Sequence, residues 1–409
     1  MIVSNIRKEK RGEEILLVAD VESANYLSGE NCEKQIWFSV PEKYGEYLTV
    51  DHYDGFLVAL LYPAMAYGED IEIDGAVSEK LLDSVNNYVI FILLAYSSWL
   101  KKIKVTAKET TDKIIESAMH IGTGFSGGVD SFCTVYDRFA QETNPKFKID
   151  TLTNLNVGNY YGKSPMDTNI IFQEAYKRLS GFPDSVGLPY IPINSSLAFI
   201  YHQKWNFQKI YVLNTMAGVL IMQNYFIKYY FASTCAYSEL PVFMKAYIDL
   251  DMAAFCEVYI CQFLSTETLQ FIPDGHQYTR TQKTERISHY SPTYNFLEVN
   301  VDKTNVLLKK NMRTLTALDT MDKLELYSKI FDLNNYKKYR FLIRCTLSLK
   351  YKKDPHAKDN IDFARLHGKK FPNRLVAFFY VNSISILKKI ARLILPKKIV
   401  TKIKELMNG

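Results

Sequence analysis

The chain has 409 residues, of which 47% are apolar, and it carries a formal charge of +6. A chain of this size and composition buries one large core or two moderate ones, which excludes a disordered tail and a small disulfide-stapled domain. The charge excess is modest and gathers near one end, so nucleic acid is not the favoured partner.

The opening twenty residues, MIVSNIRKEKRGEEILLVAD, run polar before any apolar stretch, and no secretory leader is expected from them. Six cysteines (Cys32, Cys133, Cys235, Cys256, Cys261 and Cys345) form no CxxC pair, so a reducing, cytoplasmic setting is expected. Tyr88 to Leu100 is the longest apolar run and is too short to span a bilayer. Short β-branched or aromatic runs predict strands at Glu14–Val18, Gln35–Val40, Asp70–Asp74 and Lys102–Ala107. Helices are expected at Tyr53–Ala66 and Ser78–Leu100, the second with a serine cap in VSEK. Together these make residues 1–114 an N-terminal α+β domain.

A second unit is expected over 115–320. Met119–Phe125 reads as a strand, a glycine-serine loop follows, Phe132–Gln141 reads as a helix and Lys148–Val157 as the next strand. That order is a βαβ pattern, which puts the loop at the carboxyl edge of a parallel sheet. Further strands are expected at Ile210–Leu213, Tyr229–Ala232 and Phe296–Val301, and helices at Asn214–Phe226 and Asp251–Leu264. The expected fold class is α/β, a Rossmann-like doubly wound parallel sheet with the N-terminal α+β domain and a helical C-terminal region. From Thr314 the chain reads mostly helical, and 321–409 forms the basic C-terminal region. From Tyr351 onward there are 14 Lys or Arg against 4 Asp or Glu. Within it, VNSISILKKIARLILPKKIV alternates apolar and basic residues up to a helix-ending Pro396. Three readings fit: a solvated face packed on its own domain, a dock for an acidic protein, or contact with a membrane surface.

The loop itself is Ile121 to Ser131, IGTGFSGGVDS. A phosphate-binding loop must aim several backbone N–H groups at one point, and glycines clear side chains from the approach and permit positive φ. Serines add hydroxyls, and the following helix turns its amino-terminal dipole toward the anion. Gly122, Gly124 and Gly127 satisfy GxGxxG literally, but another glycine follows. The nearest ribose-binding acid would be Asp150, which is not clearly placed after a strand. Walker A fails because no GK[ST] follows.

The hexamer Ser126-Gly127-Gly128-Val129-Asp130-Ser131 resembles the SGGxDS motif of the PP-loop ATP pyrophosphatases. That superfamily includes the synthetase domain of asparagine synthetase, argininosuccinate synthetase, GMP synthetase, 7-cyano-7-deazaguanine synthase and tRNA-thiolating enzymes. The resemblance covers about residues 115 to 320 and is nearest in feel to the 7-cyano-7-deazaguanine synthase-like and asparagine synthetase-like domains. It implies ATP and Mg²⁺ as cofactors and cleavage of ATP between the α and β phosphates. It also implies that Gly124, Phe125, Ser126, Gly127, Gly128, Val129, Asp130 and Ser131 hold the nucleotide, with Asp130 placing the metal. Phe125 is equally well explained as core.

By the same resemblance, a Ser/Thr turn and basic side chains beyond the main loop contact pyrophosphate or substrate. Ser265 and Thr266 are therefore expected at the cofactor, Glu267 at the substrate, and Arg280 and Lys283 beside Asp130 in catalysis. A capped helix with a solvated basic face explains the same stretch. Ser233 in FASTCAYSE and Asn194 in IPINSS are expected to border the substrate, with ordinary loop packing as the alternative. The seven histidines show no HExxH or close ligand set, and the NMRTLTALD segment has no cysteines beside it for structural zinc. The expected activity is ATP-dependent adenylation of a small-molecule or glycan carboxylate or amide oxygen, followed by transfer to ammonia or an amine. Sulfur transfer on the same fold and a noncatalytic nucleotide-binding interaction protein are the alternatives. A homo-oligomer is expected, and no interleaved aromatic-basic motif points to RNA.

Overall fold

The computed structural model describes residues 1–25, 34–160, 162–197, 207–243 and 256–383. Two compact units emerge, Met1–Thr279 and Arg280–Gly409. The first is built on ten strands: β1 (Ile2–Arg11), β2 (Glu14–Glu22), β3 (Gln35–Pro41), β4 (Ile71–Ser78), β5 (Val105–Thr111), β6 (His120–Gly124), β7 (Thr151–Leu155), β8 (Tyr190–Ser195), β9 (Phe226–Ala232) and β10 (Gln270–Asp274). They form one sheet in the order β10-β9-β6-β7-β8-β3-β2-β1-β4-β5.

The strands β10, β9, β6, β7 and β8 are parallel to one another. Counted from β6, their order is the 3-2-1-4-5 arrangement of a doubly wound sheet, and it reverses between β6 and β9. The N-terminal strands are not a separate layer. β3 pairs antiparallel with β8 through Phe38 with Ser195 and Ser39 with Asn194, so the sheet runs unbroken past residue 115. The compact units divide at 279/280, whereas the order of predicted elements placed the divisions at 114/115 and 320/321.

The core of the first unit explains why some apolar runs became helices. Helix α1 (Asp54–Tyr67) is buried on nearly every side, as a helix apolar all round must be. It packs against the helix Phe207–Leu220, on which Gly218 lets the backbone approach β7: a Cβ there would meet Leu155 at 2.8 Å and Val157 at 3.2 Å. Ile210–Leu213, expected as a strand, lies inside this helix. Its β-branched character suits a fully buried helix as well as a strand, and periodicity cannot separate the two in so short a run. Phe296–Val301 is likewise not a strand; Phe296 ends the short helix Thr293–Phe296.

Ser78 caps α2 (Glu79–Ser84) as expected, its Oγ accepting from the Leu81 N–H at 3.0 Å. The helix continues through the π-turn Val85–Val89 into Ile90–Tyr96. β1 and β10 had no sequence-based counterpart. Asp251–Leu264 is described only from Cys256, as the helix Glu257–Ile260 and the 3₁₀ turn Cys261–Leu264; residues 251–255 lie outside the described residues.

The second unit is helical, with Lys309–Thr320, Leu333–Lys350 and Pro355–Leu366 as its main elements. One buried carboxylate ties two of them together. Asp319 accepts from Arg340 Nε at 2.7 Å, Arg344 at 2.9 Å and the Tyr336 hydroxyl at 3.2 Å. Most of the basic apolar segment 381–400, from residue 384 on, lies outside the described residues. Among the described residues no helix is long and apolar enough to cross a membrane.

Candidate functional site

Parallel strands put all their carboxyl ends on one edge, and in doubly wound sheets ligands bind outside that edge where the strand order reverses. Here that point lies between the ends of β6 and β9. The loop leaving β6 is Phe125 to Gly128, and it enters the helix α3 (Val129–Val135), which continues through the π-turn Tyr136–Ala140.

The backbone of this loop leaves four successive N–H groups unused. Gly127 has φ +68, in the left-handed region where a side chain is strained, and Gly128 is extended as it caps the helix. The N–H groups of Ser126, Gly127, Gly128 and Val129 donate to no other group among the described residues. The loop's base is held from outside: the Phe125 N–H donates to the Thr153 carbonyl at 2.9 Å, and the Tyr190 hydroxyl donates to the Phe125 carbonyl at 2.9 Å. Burial pushes the Tyr190 hydroxyl well above its ordinary value, which keeps it a donor. Ser131 is buried and donates to the Gly128 carbonyl at 3.1 Å, with the exposed Ser126 hydroxyl 3.4 Å from it. Asp130 sits half-buried in the first helical turn.

Two side chains expected at the nucleotide are core instead. The Phe125 ring is 3% exposed and packs edge-on to Phe132 at 5.0 Å and against Phe182 at 4.9 Å. With its N–H and carbonyl both engaged, Phe125 shapes the loop and presents no group to a ligand. Val129 is fully buried, so only its backbone is available.

Asn194 and Ser233 do lie on the carboxyl edge, at the ends of β8 and β9. The Ser233 N–H donates to the Asp274 carbonyl at 2.8 Å, tying the ends of β9 and β10 together. Asn194 Oδ1 accepts from Asn156 Nδ2 at 2.7 Å, and Asn194 Nδ2 donates to Asn169 at 3.0 Å. Asn156, just past the end of β7, belongs to the same polar group, while Asn154, two residues before it, accepts from the Tyr160 hydroxyl at 3.0 Å; both had escaped sequence reasoning, and the signal was asparagine alternating with leucine in TNLNVGN. Asn154 Nδ2 and Asn156 Oδ1 are buried with no hydrogen-bond partner among the described residues. Buried polar atoms are ordinarily satisfied, so these two stand out as an unused donor and an unused acceptor.

Ser265, Thr266 and Glu267 are at the wrong edge. They precede β10, and with β10 parallel to β9 they fall at its amino end, roughly 15 Å along the strand from the carboxyl edge. Each has structural work there. Ser265 Oγ accepts from the Phe271 N–H at 3.0 Å, Thr266 Oγ1 from the Leu269 N–H at 3.0 Å, and Glu267 from the Lys80 N–H in the first turn of α2 at 2.8 Å. The residue of that stretch on the carboxyl edge is Asp274, which takes Arg138 of the π-turn at 2.7 and 2.8 Å. Arg280 and Lys283 are the first and fourth residues of the helix Arg280–Ile287, in the second unit, where Lys283 is buried. The site described here is made of first-unit residues alone. A cavity of about 860 Å³ lined by Met1, Glu22, Glu69 and Lys104 shares none of them.

Comparison with protein-family models, with curated proteins and with solved structures gives no match to this chain.

Proposed function

We propose that the chain binds ATP with Mg²⁺ at the carboxyl edge of β6 and β9 and uses it to adenylate a small-molecule or glycan carboxylate or amide oxygen, with release of pyrophosphate and transfer to ammonia or an amine. The observation that carries this reading is the placement of SGGVDS: left-handed at Gly127, between a parallel strand and a helix, at the point of strand reversal. ATP supplies an electrophilic phosphorus and a good leaving group. The chain's part is electrostatic. The amides of Ser126 to Val129 and the helix dipole favour the charge that grows on pyrophosphate, the Ser126 hydroxyl extends that set, and Ser131 holds the loop through the Gly128 carbonyl. Asp130 provides the carboxylate for the metal. Asn154 and Asn156 offer their unused polar atoms to the bound molecule, with Asn194 fixing Asn156.

An amine acceptor suits the site better than a sulfur carrier. The five cysteines of the described residues are all buried, and burial pushes the Cys256, Cys261 and Cys345 thiols up, away from the thiolate that sulfur chemistry requires. The test is pyrophosphate exchange into ATP, screened against carboxylate and amide metabolites, with product analysis. AMP and pyrophosphate are expected; strict formation of ADP would refute the mechanism.

A further inference from the structure

On the same edge of the first unit, three side chains converge that no local motif joins. Cys235 follows the end of β9, Glu257 opens the helix Glu257–Ile260, and His276 follows the end of β10. One ligand atom from each lies within 4.8 Å of the other two, and all three residues are buried. We propose that Cys235, Glu257 and His276 bind a zinc ion through Sγ, a carboxylate oxygen and Nε2. The proposal stands independently of the ATP reading.

Three features favour a metal over a buried ion pair. The first is the histidine's tautomer. Its Nδ1 lies 2.8 Å from the carbonyl of Cys235, which can only accept, so Nδ1 carries the proton. In the neutral ring the lone pair then sits on Nε2, the atom turned toward Glu257. A backbone carbonyl holding the far ring nitrogen is the usual outer support of a zinc-bound histidine.

The second is spacing. His276 Nε2 is 3.8 Å from Glu257 Oε1, too long for a hydrogen bond. Two ligands each about 2 Å from a tetrahedral zinc lie roughly 3.3 Å apart, so this gap is close to the one a shared ion requires.

The third is preparation of the carboxylate. Glu257 is fully buried. Its Oε1 accepts from the Thr234 N–H at 2.7 Å and hydroxyl at 2.9 Å, and Oε2 accepts from the Tyr211 hydroxyl. These contacts fix its rotamer as outer partners fix a ligating carboxylate. Leu240 and Phe243 pack around Cys235 and keep the site dry. A sulfur, nitrogen and oxygen donor set suits zinc rather than Mg²⁺ or Ca²⁺, and three protein ligands leave a fourth position for water. On binding, Cys235 gives up its thiol proton to solvent.

The experiment uses the full chain purified without chelators. Elemental analysis should find about one zinc per chain after dialysis, lost from Cys235→Ser and His276→Ala. Because changes in the core can unfold a protein, a second measurement uses the wild-type chain. After the metal is stripped, Co²⁺ alone should restore a thiolate-to-cobalt charge-transfer band and visible bands of tetrahedral cobalt, and Zn²⁺ should displace them. The near-isosteric Glu257→Gln should weaken Zn²⁺ binding at least tenfold. A wild-type chain that takes up neither ion, with no charge-transfer band, overturns the proposal. Full retention of zinc by folded Cys235→Ser and His276→Ala overturns the assignment of ligands.

Discussion

Replacing Gly127 with alanine separates the loop's role in stability from its role in binding. At φ +68 a Cβ is strained by about 1–2 kcal/mol. In a unit the size of Met1–Thr279 that lowers the melting temperature by roughly 2–6 °C. Nucleotide affinity should fall further. Relaxing φ turns the adjacent amides away from their common target, and each hydrogen bond to a charged phosphate contributes about 1.5–3 kcal/mol. Loss of one bond therefore predicts at least a tenfold rise in Kd for MgATP. Gly12 supplies the control: it has φ +62 in the β1–β2 turn, with open space around its absent Cβ. Gly12→Ala carries the same backbone strain far from the edge. Differential scanning fluorimetry should show similar losses for the two variants, while calorimetric titration with MgATP should show a weakened Kd for Gly127→Ala alone. Equal MgATP affinity in wild type and Gly127→Ala would refute the cradle.

Asn156→Leu, which removes the orphaned acceptor Oδ1 and the bond to Asn194, should weaken binding of the nucleotide or its co-substrate at least tenfold; the unfolding midpoint and Kd together check this. In the second unit, Asp319→Ala leaves Arg340 and Arg344 without their shared carboxylate and should cost about 3 kcal/mol, read as a shift of the urea midpoint. Asp54 is fully buried, and desolvation holds its carboxyl above the usual range despite bonds from Gln223 and Ser78. Its contribution to stability is therefore complete below the ordinary carboxylate range near pH 4 and is lost as pH rises through the raised value. Asp54→Asn should remove that decline, so that the stability of the variant relative to wild type increases with pH; parallel pH profiles would contradict it.

The local part of the site was legible because its chemistry is contiguous. Six neighbouring residues, a strand before them and a helix after them are enough to place the loop. Phe125 was ambiguous for a physical reason, since an aromatic at a strand end serves a core or a ligand equally well until Phe132 and Phe182 are seen around it. The placement of Ser265 to Glu267 failed on one missed element. FIPD carries a proline and runs straight into a glycine turn, so β10 read as loop, yet five residues of strand are what carry those side chains to the opposite edge. The joining of β3 to β8 was out of reach because it depends on a pairing between residues more than 150 positions apart. Asn154 and Asn156 needed the end of β7 to be fixed, and the grouping of Cys235, Glu257 and His276 needed three segments distant in sequence brought together.

The most direct test of the nucleotide site is calorimetric titration of the full chain with Mg²⁺ and α,β-methylene ATP, which cannot be cleaved at the bond in question. Saturable one-site binding is expected, weakened at least tenfold in Gly127→Ala and in the Ser126→Ala/Ser131→Ala double variant, and retained in Gly12→Ala. No binding at millimolar nucleotide, or binding unchanged by all three variants, would contradict the assignment of Ser126 to Ser131 as a pyrophosphate cradle.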